Sequence, residues 1–185
     1  MSAKPIGGIQ SSEQGVNRQR SLYTAAQRAR RDATRWTMVQ GVLAPLQFLV
    51  FLISLVLVIR YLATGAGYEA ATLSILIKTA FLYLIMVTGA IWEKVVFGQY
   101  LFAPAFFWED VFSFAVIALH SLYVWALLSG SVGPDAQMWI ALAAYAAYVI
   151  NAGQFLWKLR VARLEGHQDQ PSDGTVLLVA ERAPG

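Results

Sequence analysis

The sequence predicts an all-α integral membrane protein: a four-helix bundle with both termini cytoplasmic, preceded by a basic amphipathic interfacial helix. Three observations carry this. The 185 residues are 57% hydrophobic and only 14% charged, where a soluble domain carries about a quarter charged residues. Four apolar runs, at about 42–62, 71–93, 109–129 and 136–158, are each near the roughly 20 residues that cross a hydrocarbon core. The arginines and lysines gather at two places, before the first run and after the last.

Apolar runs of this length must be helices, because lipid cannot satisfy the open edge of a strand. Arg18, Arg20, Arg28, Arg30, Arg31 and Arg35 precede the first span, and Lys158, Arg160 and Arg163 follow the last, while residues 61–70 and 129–135 hold no lysine or arginine. The positive-inside rule therefore puts both termini, and the connection between the second and third spans, in the cytoplasm. A multi-pass membrane location is expected. The chain has no cysteine, which excludes disulfides, thiolate nucleophiles and cysteine-ligated metal centres.

Residues 1–22 are polar and rich in Gly, Ser and Gln, and are expected to be a disordered tail. The first apolar run starts only after residue 40, behind an arginine-rich leader, so no cleavable signal peptide is expected. Thr24-Ala25-Ala26-Gln27 fits a capping box, opening a basic helix to Trp36 that suits anionic headgroups. A nucleic-acid partner is not expected of so short a basic run beside a span. Residues 23–164 form the membrane domain and 165–185 a flexible C-terminal tail.

In the first span Pro45 is either absorbed or bends the helix, and Gln47 suits an interhelical hydrogen bond. Arg60 and Tyr61 close it at the far interface. In the second span Lys78 is near enough to the far end to snorkel outward, and Thr88-Gly89-Ala90 lets another helix approach closely. Trp92 is an interface anchor, and Glu93 follows it at the edge of the hydrocarbon, a position that suits a proton donor.

The connection, residues 93–110, reads EKVVFGQYLFAPAFFWED. Gly98 and Pro104 break the helix, while Phe97, Tyr100, Phe102, Phe106, Phe107 and Trp108 are too many rings for a loop in water. Each ring alone is an ordinary belt aromatic; together they offer an apolar surface for something planar. Charges beside membrane-length segments are functional candidates by default, although Glu109 and Asp110 also suit the dipole of the helix they open. Glu109, Ser113, Val116 and His120 share one stripe, His120 lying roughly 16 Å along the axis from Glu109. A mid-membrane histidine is a ligand, a relay or a satisfied interhelical contact. In the fourth span Tyr148, Asn151 and Phe155 share a face; Asn151 and Tyr148 can hold water or a carbonyl, and Gln154 suits a contact between helices.

The segments YTAAQRARRDATRWTMVQGVLAPLQFLVF, TGAIWEKVVFGQYLFAPAFFWEDVFSFAVIALH and AAYVINAGQFLWKLRVARL resemble, in that order over residues 23–164, the bacterial 2-vinyl bacteriochlorophyllide hydratases. The resemblance implies a hydro-lyase of bacteriochlorophyll biosynthesis. It adds water to the C3 vinyl of chlorophyllide a or a bacteriochlorophyllide, giving a 3-(1-hydroxyethyl) group that is later oxidised to the acetyl of bacteriochlorophyll a. Implied partners are that substrate, water, membrane lipids and other enzymes of bacteriochlorophyll synthesis. No cofactor is implied; magnesium enters only within the substrate.

The reaction's chemistry then suggests roles. A general acid protonates the terminal CH2, and water adds to the ring-conjugated carbon and loses a proton to a base, so two carboxyl groups in different environments suffice. Glu93 ends one helix and Glu109 begins the next, and these two are expected to meet, with Asp110 as orienter. Lys94 is the expected partner of the substrate propionate. Phe106, Phe107 and Trp108 are the expected platform, His120 a possible axial ligand of the substrate magnesium, and Tyr148 or Asn151 a holder of water or a ring carbonyl. Two other readings stay open: a non-catalytic pigment-binding or assembly protein, and a small transporter. Carboxylates at one edge rather than the midplane count against the transporter.

Overall fold

A computed structural model describes residues 22–168. Among them the only regular elements are five helices: α1 (Ala25–Ala33), α2 (Arg35–Thr64), α3 (Tyr68–Phe97), α4 (Phe107–Ser129) and α5 (Pro134–Gln168). The expected disordered tail lies outside the described residues up to position 21, as does the C-terminal tail from position 169. Two compact units divide within α5: residues 25–154, which hold every contact discussed below, and a second that includes the continuation of α5 from Phe155.

Helices α2 to α5 are each long and apolar enough to cross a membrane. The basic segment and the first span do not form one continuous helix. Thr34 interrupts them with extended backbone and caps α2, its hydroxyl accepting from the Trp36 N–H. The Thr37 hydroxyl reaches back to the Arg31 carbonyl at 2.6 Å, so the break is a tied corner. Helix α2 runs through Pro45 without ending. It stops at Gly65, whose φ of +69° is open to glycine at little cost, and the Gly65 N–H closes on the Tyr61 carbonyl at 2.7 Å.

The long helices pack through their polar residues as well as their apolar ones. At the end of the bundle where α2 begins, Gln40 donates to Thr88 at 2.7 Å and Trp92 donates to Thr37 at 2.9 Å. The Gln40 amide packs over Gly89, where an added Cβ would meet it at 3.9 Å, an ordinary contact. Halfway along, Ser74 donates to the Ala71 carbonyl, so Ser54 donates to Ser74 and the Tyr145 hydroxyl donates to Ser54. This chain joins α2, α3 and α5. At the far end Tyr61 donates to Asp135 at 2.9 Å and Tyr68 to Gln137. Interhelical bonds of this kind contribute about 0.6 kcal/mol each in a membrane, so they set register more than they supply stability.

Phe51, Val58, Ile75, Leu82, Val116, Tyr123 and Tyr145 fill the core. The outer surface presents Leu49, Ile53, Val56, Leu73, Val87, Trp125 and Leu128, an apolar face suited to lipid. One expectation is overturned. Lys78 does not snorkel: it is 0% exposed, with its ammonium 3.7 Å from the Tyr148 ring centroid. The reason is its place on α3. Ala71, Ser74, Ile75, Lys78 and Leu82 form one buried stripe at helical spacing, so the side chain is aimed at the bundle axis however close the helix end lies.

Candidate active site

The α3–α4 connection is built by two carboxylates. Helix α3 ends at Gly98, φ +90°, whose N–H closes on the Lys94 carbonyl. The chain then turns back over the bundle, where Phe102 adopts φ +59°, a left-handed conformation that costs a residue with a Cβ about 1–2 kcal/mol. Asp110 holds it there, accepting the Phe102 N–H at 2.6 Å. The next amide, that of Ala103, donates to Glu93 at 3.2 Å. The two carboxyl groups that grip neighbouring amides interact directly with each other, and two carboxyls side by side are eased by one proton shared between them. Glu93, Glu109 and Asp110 are all buried, so this proton is held out of bulk water.

Glu93 has both acids of α4 within electrostatic range, Asp110 acting on it more strongly than the expected partner Glu109. Of the two, Asp110 also grips the amide next to the one that Glu93 holds. Neighbours on a helix point about 100° apart: Glu109 continues the buried stripe of Ser113, Val116 and His120, while Asp110 takes the flank that meets α3.

The aromatic residues divide into two groups. Phe106 is buried in a cluster of edge-on rings, 5.8 Å from both Trp92 and Phe97, and belongs to the core rather than to an open platform. Phe107 and Trp108 are exposed. Beside them Phe102 stacks on Phe114, centroids 5.5 Å apart and planes 10° apart, and both rings remain partly open. This stacked pair was not legible in the sequence, since only the left-handed turn at Phe102 brings it onto α4. Lys94 is exposed and donates to the Gly98 carbonyl at 2.8 Å, which leaves two of its three N–H groups for an anion.

The remaining candidates lie deeper. Asn151 donates to Ser113 at 2.8 Å, one turn into the bundle from Asp110. Tyr148 lies under Lys78 and packs on Phe51 at 5.0 Å. His120 is fully buried, with Nδ1 2.8 Å from the Val116 carbonyl. Because that carbonyl only accepts, Nδ1 carries the hydrogen and Nε2 keeps a lone pair. The acids therefore sit at one end of the bundle and His120 in its interior, and no single contact joins them.

A sequence model of the 2-vinyl bacteriochlorophyllide hydratases matches residues 23–161. A relative named 2-vinyl bacteriochlorophyllide hydratase from Cereibacter sphaeroides is 79% identical over 146 residues, covering 79% of this chain and 91% of the relative. One of the same name from Rhodobacter capsulatus is 71% identical over 164 residues, covering 88% and 92%. No solved structure matches significantly. The matched segment spans all three acids, the aromatic connection and His120, and the chain belongs to the 2-vinyl bacteriochlorophyllide hydratase family.

Proposed function

We propose that this chain hydrates the C3 vinyl group of chlorophyllide a or a bacteriochlorophyllide to a 3-(1-hydroxyethyl) group, as a hydro-lyase of the bacterial inner membrane. The observation that carries this reading is the buried, directly interacting pair of Glu93 and Asp110 beneath exposed aromatic rings. Relatives named for this hydration support it.

Hydration of a vinyl group needs one proton delivered and one returned. The pair gives its proton to the terminal CH2, and cationic charge develops on the carbon joined to the macrocycle. Water adds to that carbon, and its surplus proton returns to the pair, so the net change is one water across the double bond. The carboxylate left after the first step faces the cation, and a buried negative charge acts strongly on a charge that appears only during reaction. Glu109, next in range, helps orient the water. The macrocycle lies against Phe102, Phe107, Trp108 and Phe114, its propionate at the headgroup level near Lys94. A ring whose vinyl reaches the acids has its magnesium well short of His120, so this reading gives His120 no bond to that metal.

Membranes containing the protein, incubated with the 3-vinyl substrate, are expected to yield a product heavier by one water, with absorption shifted to shorter wavelength as the vinyl leaves the conjugated system. Glu93→Gln and Asp110→Asn are expected to abolish this. A spectral shift on binding without any heavier product overturns the enzymatic reading in favour of a pigment-binding protein, which the open aromatic surface also suits.

A further inference from the structure

Several buried polar atoms of the interior are left out of the hydrogen bonds that join the helices. Lys78 Nζ, Gln47 Oε1, His120 Nε2 and Asn151 Oδ1 are each shielded from solvent and have no hydrogen-bond partner among the described residues. They line one stretch of the interior, roughly 10 Å along the bundle axis from Asn151 to His120. The Lys78 ammonium lies over the Tyr148 ring, and Asn151 follows Tyr148 by one turn of α5. Phe51, packed on Tyr148, follows Gln47 by one turn of α2, and His120 is within electrostatic range of Lys78.

The chemistry of these atoms selects their ligand. An ammonium offers three N–H donors and no acceptor, while the amide oxygens and the bare imidazole nitrogen only accept. An anion suits Lys78 but sets negative charge against three acceptors. A metal cation suits the acceptors but not the lysine. A molecule that donates and accepts in the same volume suits both. The ring of Tyr148 contributes about 2 kcal/mol to a desolvated cation, less than burying an ammonium costs.

We propose that Lys78, Gln47, His120 and Asn151 form a water-binding site within the span, with water bridging the ammonium to the three acceptors. Interior waters of this kind make about three hydrogen bonds each to groups that are otherwise unsatisfied. If the chain is a hydratase, as proposed above, the same site stores its second substrate: Asn151 bonds Ser113, which sits one turn along α4 from Asp110. Water then reaches the acids from inside the bundle, without opening the aromatic cover.

Hydroxyl-radical footprinting of the protein in membranes tests the site, since radicals formed from bound water label the side chains beside it. Tyr148 and His120 are expected to label at rates close to that of the exposed Tyr100. In Lys78→Met the label at Tyr148 is expected to fall roughly fivefold, because the main donor to the water is gone. Lys78→Gln, which keeps a donor, is expected to retain most of it. Wild-type Tyr148 and His120 labelling no faster than the buried Met138 overturns the site, and labelling unchanged in Lys78→Met overturns the role of the lysine. Interior labelling in a protein that hydrates nothing leaves the water site standing and removes the hydratase reading alone.

Discussion

Glu93 and Asp110 accept hydrogen bonds from adjacent backbone amides, those of Ala103 and Phe102, and interact directly with each other. One arrangement thus fixes the connection and holds a proton. The two roles separate on substitution. In Glu93→Gln the amide oxygen still accepts from Ala103 and the NH2 still donates to Asp110, so the fold is kept while the transferable proton is lost. Hydration is expected to fall roughly 10²–10⁴-fold, the usual worth of general acid–base catalysis, with unchanged amounts of folded protein in the membrane. Product mass per unit of protein measures it, and activity near wild type refutes the assignment.

Glu109 and Asp110 are both buried, and Asp110 acts on Glu93 more strongly than Glu109 does. Asp110→Asn is expected to match Glu93→Gln, whereas Glu109→Gln, which removes a neighbouring charge, is expected to cost only roughly tenfold. Assaying the two variants side by side ranks them. A larger loss in Glu109→Gln restores the pairing that the sequence suggests.

Phe102 combines a left-handed backbone with a stacked ring, so its two contributions oppose one another. Phe102→Ala loses the stack and keeps the strain; Phe102→Gly loses the stack and relieves the strain. The glycine variant is expected to be the more stable by about 1 kcal/mol, read as a higher thermal midpoint in detergent.

These residues show why part of the site was legible in the sequence and part was not. Run length and charge placement suffice for the four membrane-length helices, since both depend on the solvent rather than on packing. The stripe of Glu109, Ser113, Val116 and His120 is likewise a property of one helix, and all four are buried. Which acid meets Glu93 depends on how α4 is rotated against α3, a tertiary quantity that spacing leaves open. Lys78 departs from expectation for a different reason: nearness to a helix end sets its depth but not its direction, and the small and apolar residues at the same helical spacing mark its face as interior.

Ser54 receives the Tyr145 hydroxyl and donates to Ser74. Ser54→Ala leaves the Tyr145 hydroxyl, on a ring 2% exposed, without an acceptor. A loss of about 1–2 kcal/mol is expected, seen as a lower midpoint in detergent. Ser74→Ala is expected to cost less, since the Ser54 hydrogen can turn to a carbonyl of its own helix.

The absence of cysteine makes the orientation in the membrane directly testable. At the end of the bundle that carries the acids, Arg28, Arg30, Arg31 and Arg35 lead into α2, and Lys94 closes α3; at the other end of these two helices the only such residue is Arg60. Lysine and arginine close to span ends are retained on the cytoplasmic side, so the acids and their aromatic cover are expected to face the cytoplasm. Gln99, in the α3–α4 connection, and Ser131, between α4 and α5, are both exposed and lie on opposite sides of that prediction. A membrane-impermeant maleimide is expected to label Gln99→Cys only in inside-out vesicles and Ser131→Cys only in right-side-out ones. The reverse pattern would put the acids on the far side, away from substrates made in the cytoplasm, and would remove the route by which the proposed reaction is supplied.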